Sequence, residues 1–458
     1  MRSARASWNR AAAAVAAASF AALSLNLAGS AAGAPPARTP VAYVVQPGDT
    51  LIGLAAAYLR RPADYRRVQR DNQISRPRAL QIGSRLMIDP DLLRSTPIDA
   101  RLSAVSGTVQ VETNGARAPA RAGMVLVEGQ RLITGPGAFA TFEMADESRV
   151  TLPSNTSLRI ERLRQTLLNN TPLRIFQMDQ GRGVISVTPD PNPDAKFEIR
   201  TPVSISAVRG TEFRVGQDAS GAQARTEVLK GAVGVDLASA SVPGGSAIGA
   251  GFGVSATPAG VSAPVALLPA PRLVPAGQRQ GERIVSFQVE PVKDAAAYRL
   301  VLSRDAGFVD VFSELTVEPP AVQAGVPFSD IANGTYFIRL TALDPGGLEG
   351  LPGDYSFDRD LDVLEPGGAP DAQTSGKHRH FLFRWSAAGD GVRSYRFQLF
   401  PGPDAAAPII DQPGLSQSQL SLTDLPPGTY GWRVSAVRFK DGAFREKVGA
   451  MQTLQIGR

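Results

Sequence analysis

The segment from Thr201 to Leu237 constrains the fold more strongly than any other part of the chain. Its apolar residues recur at every second position, a period typical of strands with one buried face. They are Val203, Ile205, Phe213, Val215, Val233, Val235 and Leu237. Gly210, Gly221 and Gly231 interrupt the alternation, and glycine accommodates the positive φ angles of tight corners. The pattern predicts short strands that fold back repeatedly, which is a scaffold and not a catalytic loop.

The same segment closely resembles the signature of the FecR protein domain. The resemblance is carried by three runs in order: residues 201–203 (Thr-Pro-Val), 207–215 (Ala-Val-Arg-Gly-Thr-Glu-Phe-Arg-Val) and 227–233 (Glu-Val-Leu-Lys-Gly-Ala-Val). The best-known members of that family lie in the periplasm and relay a signal from an outer-membrane receptor to a sigma factor. The resemblance therefore implies a cell-envelope location, and the remaining segments must decide the function.

Composition favours several β-rich domains. The chain has 458 residues with 45 Gly and 36 Pro, and a prior of about 150 residues per domain suggests roughly three domains. Cysteine is absent from the sequence, which excludes disulfides, thiolate metal sites and cysteine nucleophiles. Because the sequence has only two histidines, we expect no catalytic histidine, no metal site and no cofactor.

The N-terminus has the pattern of an export signal. Arg2, Arg5 and Arg10 precede an uncharged, alanine-rich run from Ala11 to Ala28, and small residues follow. We expect a signal peptide over residues 1–32, cleaved after Ala32. The alternative is an uncleaved anchor in the membrane, although a run made mostly of alanine is weakly hydrophobic.

Charge argues against a nucleic-acid partner. The chain has 48 basic and 42 acidic residues, and the first 34 residues hold three Arg and no acid, so the remainder carries only +3. Nucleic-acid binders concentrate basic residues on one face, and an exported chain rarely meets nucleic acid.

A proline-rich linker over residues 33–42 precedes a small unit with the order strand, helix, helix, strand. Thr50 or Asp49 can cap the first helix, and Leu51, Leu54, Ala55 and Tyr58 follow at helical spacing. A second helix is predicted from Ala63 to about Gln69, and the closing strand covers residues 85–88.

This unit resembles a LysM domain over residues 43–89. The resemblance is carried by the opening Tyr-Val-Val-Gln-Pro-Gly-Asp-Thr-Leu (43–51), the Asn-Gln-Ile step (72–74) and the closing residues 80–88. LysM domains bind N-acetylglucosamine-containing glycans, in peptidoglycan or chitin, between the loop after the first strand and the loop after the second helix. The resemblance implies that the glycan-binding residues here are Gly48, Asp49, Thr50, Leu51, Asn72, Gln73, Ile74 and Pro77. The Gly48-Asp49-Thr50 turn is also ordinary cap chemistry, which any helix start would need.

Two features of the unit depart from the usual pattern. Gly53 lies inside the first helix, where a stronger helix former is usual. Residues 41–90 contain eight Arg and four Asp, a local charge of +4. These arginines are either a solvated face or a surface attracted to the anionic cell wall, which would make binding depend on salt.

From about residue 100 the period of two continues, with close turn signals, to residue 262. Val105–Val111 and Ser157–Ile160 are typical predicted strands. We expect this FecR-like domain, residues 100–262, to be solenoid-like or twisted β structure. The glycine-rich run 244–254 lacks the spacing and the Lys of a phosphate-binding loop, so it predicts a last strand.

Two similar halves, residues 263–362 and 370–458, follow as a tandem repeat. Each resembles a fibronectin type III-like sandwich through a Gly-Thr-Tyr step before a long strand, and the second copy has Trp385 in an early strand. We expect Tyr336 and Tyr430 to hydrogen-bond back to the chain as corner tyrosines. His378 and His380 share a strand face, but Lys377 and Arg379 beside them disfavour a metal ion.

The fold expected from the sequence is mainly β and multidomain: a small βααβ LysM unit, a FecR-like β domain and two β-sandwiches. We expect a non-enzymatic, exported protein of the periplasm or cell envelope that binds peptidoglycan and presents its β domains to unknown envelope proteins. The alternative is a FecR-type signalling regulator held by an uncleaved anchor, which is disfavoured because only ten residues precede the apolar run. A wall hydrolase with an unrecognised site is a third hypothesis, and labelled peptidoglycan would test it.

Overall fold

The computed structural model describes residues 40–192, 195–240 and 245–457. The predicted signal peptide and most of the predicted linker lie outside the described residues. Within the described residues the chain is mainly β, which confirms the expected fold class. None of the helices that these residues form combines the length and the apolar character that a membrane crossing requires.

The first element group is a βααβ unit. It comprises β1 (Val41–Val44), α1 (Leu51–Tyr58), α2 (Tyr65–Asp71) and β2 (Arg85–Ile88), with 3-10 turns at Pro62–Asp64 and Pro90–Leu92. The two strands pair antiparallel, with Val41 opposite Ile88. The buried helix positions Leu51, Leu54 and Val68 pack with the inward side of this ribbon.

A unit of two packed sheets follows, which we call the two-sheet unit. Its first strands are β3 (Ser95–Pro97), β4 (Ala100–Ser106), β5 (Val109–Thr113), β6 (Ala116–Pro119), β7 (Val125–Leu126), β8 (Arg131–Thr134), β9 (Phe139–Met144), β10 (Arg149–Leu152), β11 (Ser157–Thr166) and β12 (Pro172–Ser186). Its later strands are β13 (Lys196–Arg200), β14 (Ser204–Val208), β15 (Glu212–Gln217), β16 (Ala224–Lys230), β17 (Ala232–Leu237), β18 (Ser246–Gly249), β19 (Phe252–Thr257), β20 (Gly260–Val261) and β21 (Val265–Ala266).

The long strand β12 belongs to both sheets. Its first part pairs with β11 and β13, and its second part pairs with β10 and β15. The strand passes from one sheet to the other near Gly181, whose φ is +94°. Phe142, Phe176 and Phe197 form a chain of aromatic contacts in the core between the sheets. Among the described residues the pairing in this unit is antiparallel except between β12 and β13.

The glycine-rich run near residue 250 forms more than the single strand that we expected. In its described part, β18 and β19 are separated by a turn that contains Gly251, whose φ is +81°. The stretch 105–111, predicted as one strand, is likewise divided between β4 and β5. Gly107 there has a φ of +72°, and a Cβ on it would lie 2.9 Å from the Cα of Ala138, so the chain turns where the alternation suggested continuity.

Two β-sandwiches complete the described chain. The first contains β22 (Arg279–Gln280), β23 (Val285–Phe287), β24 (Ala297–Ser303), β25 (Val311–Val317), α3 (Pro319–Ala324), β26 (Val326–Phe328), β27 (Gly334–Leu343) and β28 (Gly353–Arg359), after a 3-10 turn at Pro275–Gln278. The second contains β29 (Val363–Pro366), β30 (Asp371–Ser375), β31 (His378–Ala388), β32 (Val392–Phe400), β33 (Ile410–Leu415), β34 (Gln419–Thr423), β35 (Gly428–Lys440), β36 (Ala443–Val448) and β37 (Gln452–Ile456).

The sandwiches have separate aromatic cores. Phe287 and Phe357 meet edge to face in the first, and Phe383, Phe397 and Trp432 pack together in the second. The hydroxyl of Tyr430 donates to the carbonyl of Pro426 at 2.9 Å, which is the corner hydrogen bond expected from the sequence. The equivalent Tyr336 packs its ring against Phe312 and Phe357.

Candidate functional site

The first candidate loop joins β1 to α1. Thr50 is the N-cap of α1, and its hydroxyl accepts a hydrogen bond from the amide of Gly53 at 3.0 Å. Asp49 holds the loop instead, since its Oδ2 accepts from the hydroxyl of Tyr43 at 2.8 Å and from the amide of Gln46 at 2.7 Å. Burial and the hydrogen bond with Asp49 raise the pKa of Tyr43 to about 12. Gly48 is exposed, with a φ of +89°, so the loop turns tightly around a fixed carboxylate.

The cap also explains the glycine inside α1. A Cβ on Gly53 would lie only 2.9 Å from the Thr50 hydroxyl that caps the helix. Glycine in a helix costs about 1 kcal/mol relative to alanine, but here it leaves room for the Thr50 hydroxyl that caps the helix.

The second candidate loop follows α2. The side-chain amide of Asn72 donates to the carbonyls of Val68 and Met87, and its oxygen accepts from the amide of Met87 at 2.6 Å. Asn72 therefore clamps the end of α2 to β2. Gln73 is exposed with a φ of +53°, and the amide of Ile74 donates to the carbonyl of Gln69.

The structure brings the two loops together. The amide of Leu51 donates to the carbonyl of Pro77 at 2.8 Å, so the start of α1 lies directly against the second loop. Among the described residues, the amides of Thr50 and Ile52 find no acceptor. Ile52 is 40% exposed beside them, an apolar side chain that the sequence reasoning missed. The sequence could have indicated this, because Ile52 is an apolar residue that does not share the helical spacing of the buried Leu51, Leu54 and Ala55.

Four of the predicted site residues have side chains that are already engaged: Asp49 and Thr50, as described above, and Leu51 and Asn72. Leu51 is only 1% exposed and packs in the core of the βααβ unit. The polar atoms of the Asn72 side chain are used by the clamp to β2. These four residues support the loops, whereas Gly48 and Gln73 are exposed.

The arginines of the unit are partly paired. Arg67 contacts Asp89 at 2.7 Å and Arg61 contacts Asp64 at 3.1 Å. Arg60 donates to the carbonyl of Leu93 at 3.2 Å, which helps to hold the segment that leaves the unit. Exposed pairs of this kind contribute little to stability. The unit keeps a positive charge because residues 41–90 contain eight Arg and four Asp.

The βααβ unit is joined to the two-sheet unit through its core. Leu168, from the turn between β11 and β12, packs in the hydrophobic cluster of the βααβ unit. The side-chain amide of Asn169 donates to the carbonyl of Ala42 at 3.3 Å. The backbone amide of Leu167 donates to the carbonyl of Arg94 at 2.9 Å.

The two histidines are engaged with neighbouring side chains. The Nδ1 of His378 lies 2.6 Å from a carboxylate oxygen of Asp424, and the Nδ1 of His380 lies 3.0 Å from the hydroxyl of Thr423. In the described part of the chain, no group of three or more His, Asp or Glu side chains is arranged to hold a metal ion.

Two family models match the chain. The FecR protein model matches residues 130–234, and the LysM domain model matches residues 43–89. Both family resemblances are confirmed. The FecR match covers β8 to the first half of β17 in the two-sheet unit, and the LysM match covers the βααβ unit from the second half of β1.

Solved structures with low similarity were also found. Two crystal structures of a proposed anti-sigma factor from Parabacteroides distasonis share 18% identity, cover 29% of this chain and 57% of that one, and have TM-scores of 0.24. This chain thus spans little more than half the length of that protein. The chicken CNTN1 FN1–FN3 domains share 12% identity, cover 66% of this chain and 97% of that one, and have a TM-score of 0.21. No curated protein matches the chain.

Proposed function

We propose that this chain is an exported, non-enzymatic protein that binds peptidoglycan through its βααβ unit and so tethers the two-sheet unit and both sandwiches at the cell wall. The observation that carries the proposal is the contact between the amide of Leu51 and the carbonyl of Pro77 within a segment that matches the LysM model. This contact aligns the two loops that LysM domains use for glycans.

The chemistry at the joined loops suits an N-acetyl group. Such a group needs a backbone donor and acceptor together with a small apolar surface for its methyl. The amides of Thr50 and Ile52 are available as donors in the described structure, and the exposed side chain of Ile52 supplies apolar surface. Gly48 leaves open space beside them, since a Cβ there would meet nothing within 4 Å.

A matched pair of glycine substitutions tests the site. Gly48→Val and Gly123→Val both place a side chain at an exposed turn, with φ values of +89° and +84° and open space around each. The backbone strain should therefore be similar, on the order of 1–3 kcal/mol. Only Gly48 lies in the proposed glycan site. We expect Gly48→Val to weaken co-sedimentation with insoluble sacculi by about tenfold, or about 1.4 kcal/mol.

The Gly123→Val protein should pellet like the unchanged chain, and soluble N-acetylglucosamine oligomers should release both. Equal pelleting of the two variants, or no pelleting of the unchanged chain at low salt, would contradict the proposal. Point variants are preferable to deletion of residues 41–90, because deletion would expose Leu168, which packs in the core of that unit. Repeating the assay at increasing salt concentration distinguishes the two interpretations of the arginines. Pelleting that falls with salt indicates attraction to the anionic wall, and pelleting that does not change indicates a solvated face.

A signalling regulator is the second candidate function. The match of residues 130–234 to the FecR model favours it. Such a regulator would retain the N-terminal apolar run as a membrane anchor. Mass spectrometry of the native N-terminus distinguishes the two: a start near Gly33 supports the exported wall-binding protein, and an intact start at Met1 or Arg2 supports the regulator.

A further inference from the structure

A second concave site lies where the two-sheet unit meets the first sandwich. Phe139 packs there against Phe308 and Val311. One guanidinium nitrogen of Arg214 donates to the carbonyls of Glu349 and Gly350, at 2.9 Å each. Between these contacts is a cavity of about 330 Å³, with walls from both units. Its volume is at the lower end of the range for small-molecule sites, about 300–1,000 Å³.

The cavity carries a surplus of positive charge. Among the described residues, three acidic side chains line it, against six basic ones: Arg149, Arg182, Arg214, Lys230, Arg299 and Arg339. Two of these six are neutralised locally, because Lys230 pairs with Glu212 and Arg339 pairs with Asp354, both at 2.7 Å. Arg182, Arg214 and Arg299 share Glu314 and Glu349, whereas Arg149 donates to the carbonyl of Gly307 at 3.5 Å.

Two acids face these three arginines directly. Glu314 contacts Arg182 at 2.6 Å and Arg299 at 3.8 Å, and Glu349 contacts Arg182 at 3.3 Å and Arg214 at 3.6 Å and also binds Arg299. Glu227 lines an adjoining cavity, and burial, with repulsion from Glu349, raises its pKa to about 7 despite the attraction of Arg214. It is therefore only partly ionised at neutral pH. Three arginines therefore face two glutamates and the partly ionised Glu227, which leaves up to one positive charge to be compensated at this site.

Two donors at the site have no acceptor. Within the described structure, Nη2 of Arg214 and Nε of Arg299 are buried without a hydrogen-bond partner. The two residues are only 5% and 9% exposed, and both line the cavity. A buried guanidinium donor left unpaired destabilises the fold, and an anionic acceptor would recover that loss.

Most of the remaining cavity wall is apolar, and within the described chain Thr151 and Ser186 are the uncharged polar residues that line it. Phe139, Val301, Phe308 and Val311 line it together with Pro153 and Val184. We propose that the cavity binds a small organic carboxylate, whose anionic head accepts hydrogen bonds from Arg214 and Arg299 and whose apolar body packs against the phenylalanines. Because both units supply the wall, such a ligand fastens the FecR-matching segment to the first sandwich.

The test uses the purified full chain and matched pairs of probes. Ligand-observed NMR is run with 3-phenylpropionate and 4-methylpentanoate against their neutral amides, followed by calorimetry on the pair with the stronger signal. We expect the acids to bind at least tenfold more tightly than the amides. Absence of binding by both acids, or equal binding of acid and amide, would overturn the proposal.

Two variants locate the binding. Arg214→Met removes the unpaired donor and should weaken the acid at least tenfold, although it also removes contacts to the sandwich. Val301→Phe fills the cavity from the sandwich wall and leaves every charged side chain in place, so it should block binding while the thermal unfolding temperature stays near that of the unchanged chain. Unchanged acid binding in a folded Val301→Phe protein would refute the assignment.

Discussion

Replacing Glu227 with Gln should stabilise the protein above neutral pH and have a much smaller effect in acid. Glu227 lies on β16 and is only 4% exposed at the junction with the first sandwich. One carboxylate oxygen accepts from the amide of Glu349 at 3.2 Å, a bond that the oxygen of Gln can also accept. The substitution thus removes a buried charge with little change in shape.

The pKa difference sets the magnitude. Burial raises the pKa of Glu227 from its ordinary 4.5 to about 7, so the folded protein holds this proton more tightly than the unfolded chain. The fold is therefore most stable, with respect to this group, below pH 4.5 and loses stability as the pH rises through 7. A full shift of this size is worth about 3 kcal/mol, of which about 2–3 kcal/mol falls between pH 5 and pH 8.

Differential scanning calorimetry at pH 5 and pH 8 measures the effect. The unfolding temperature of Glu227→Gln relative to the unchanged chain should rise between these pH values by roughly 5–10 °C for a cooperative unit of this size. Glu128→Gln is the control of opposite sign. Burial opposes ionisation of Glu128, but its hydrogen bonds with Arg164 and the amide of Leu163 lower its pKa. Its ionised form stabilises the fold, and that contribution is lost as the pH falls.

The reasoning fails if the Glu227→Gln difference does not change with pH, or if it changes in the same direction as that of Glu128→Gln. Either result would mean that the carboxylate of Glu227 is solvated or fully paired. The charge balance given above for the junction between the two-sheet unit and the first sandwich would then be wrong, because it takes Glu227 as only partly ionised.

Three further substitutions probe the local structure. Gly181→Ala should destabilise the two-sheet unit by more than about 3 kcal/mol in urea denaturation, because φ is +94° and a Cβ would lie 2.5 Å from the Cα of Thr156. Tyr430→Phe should lower stability by about 1 kcal/mol, through loss of its hydrogen bond, in thermal unfolding of the second sandwich. Asn72→Ala should cost about 2–3 kcal/mol, because it frees Met87 from the clamp, and hydrogen exchange at β2 should rise.

The first of these has an internal control. Gly221→Ala also places a side chain at positive φ, +76°, but nothing lies within 4 Å of the added Cβ. It should cost only about 1 kcal/mol, so equal losses at the two glycines would show that crowding at Gly181 is unimportant. For Tyr430 and Asn72, unchanged stability would show that water replaces the lost bonds.

Local patterns in the sequence were sufficient for elements of the βααβ unit and for three corners of the two-sheet unit. The predicted cap at Thr50, the strand at Arg85–Ile88 and the positive φ at Gly210, Gly221 and Gly231 all agree with the structure. Each depends on residues a few positions apart. A cap needs one hydroxyl near one free amide, and a corner needs one residue without Cβ.

The buried face of β14 could not be predicted in this way. The alternation suggested that Val203 and Ile205 face the core, but the strand buries Ser204, Ser206 and Val208. Val203 is buried just before the strand begins, and Ile205 is half-buried. The reason is a contact across the core: the hydroxyl of Ser206 is 3.0 Å from that of Thr226 on the opposite sheet. A buried hydroxyl with a partner is acceptable, and that partner is twenty residues away.

The sequence by itself determined the β-rich composition, the family signatures and the positions of the corners, because these follow from residue type and short-range spacing. Only the tertiary structure decided what the signature's polar residues do. Arg214 and Glu227 alternate with apolar neighbours, a pattern that predicts exposure to solvent. They are buried instead, because the first sandwich covers that face of the sheet. Alternation in the sequence distinguishes the two faces of a strand, but it does not show whether a face meets water or a neighbouring unit.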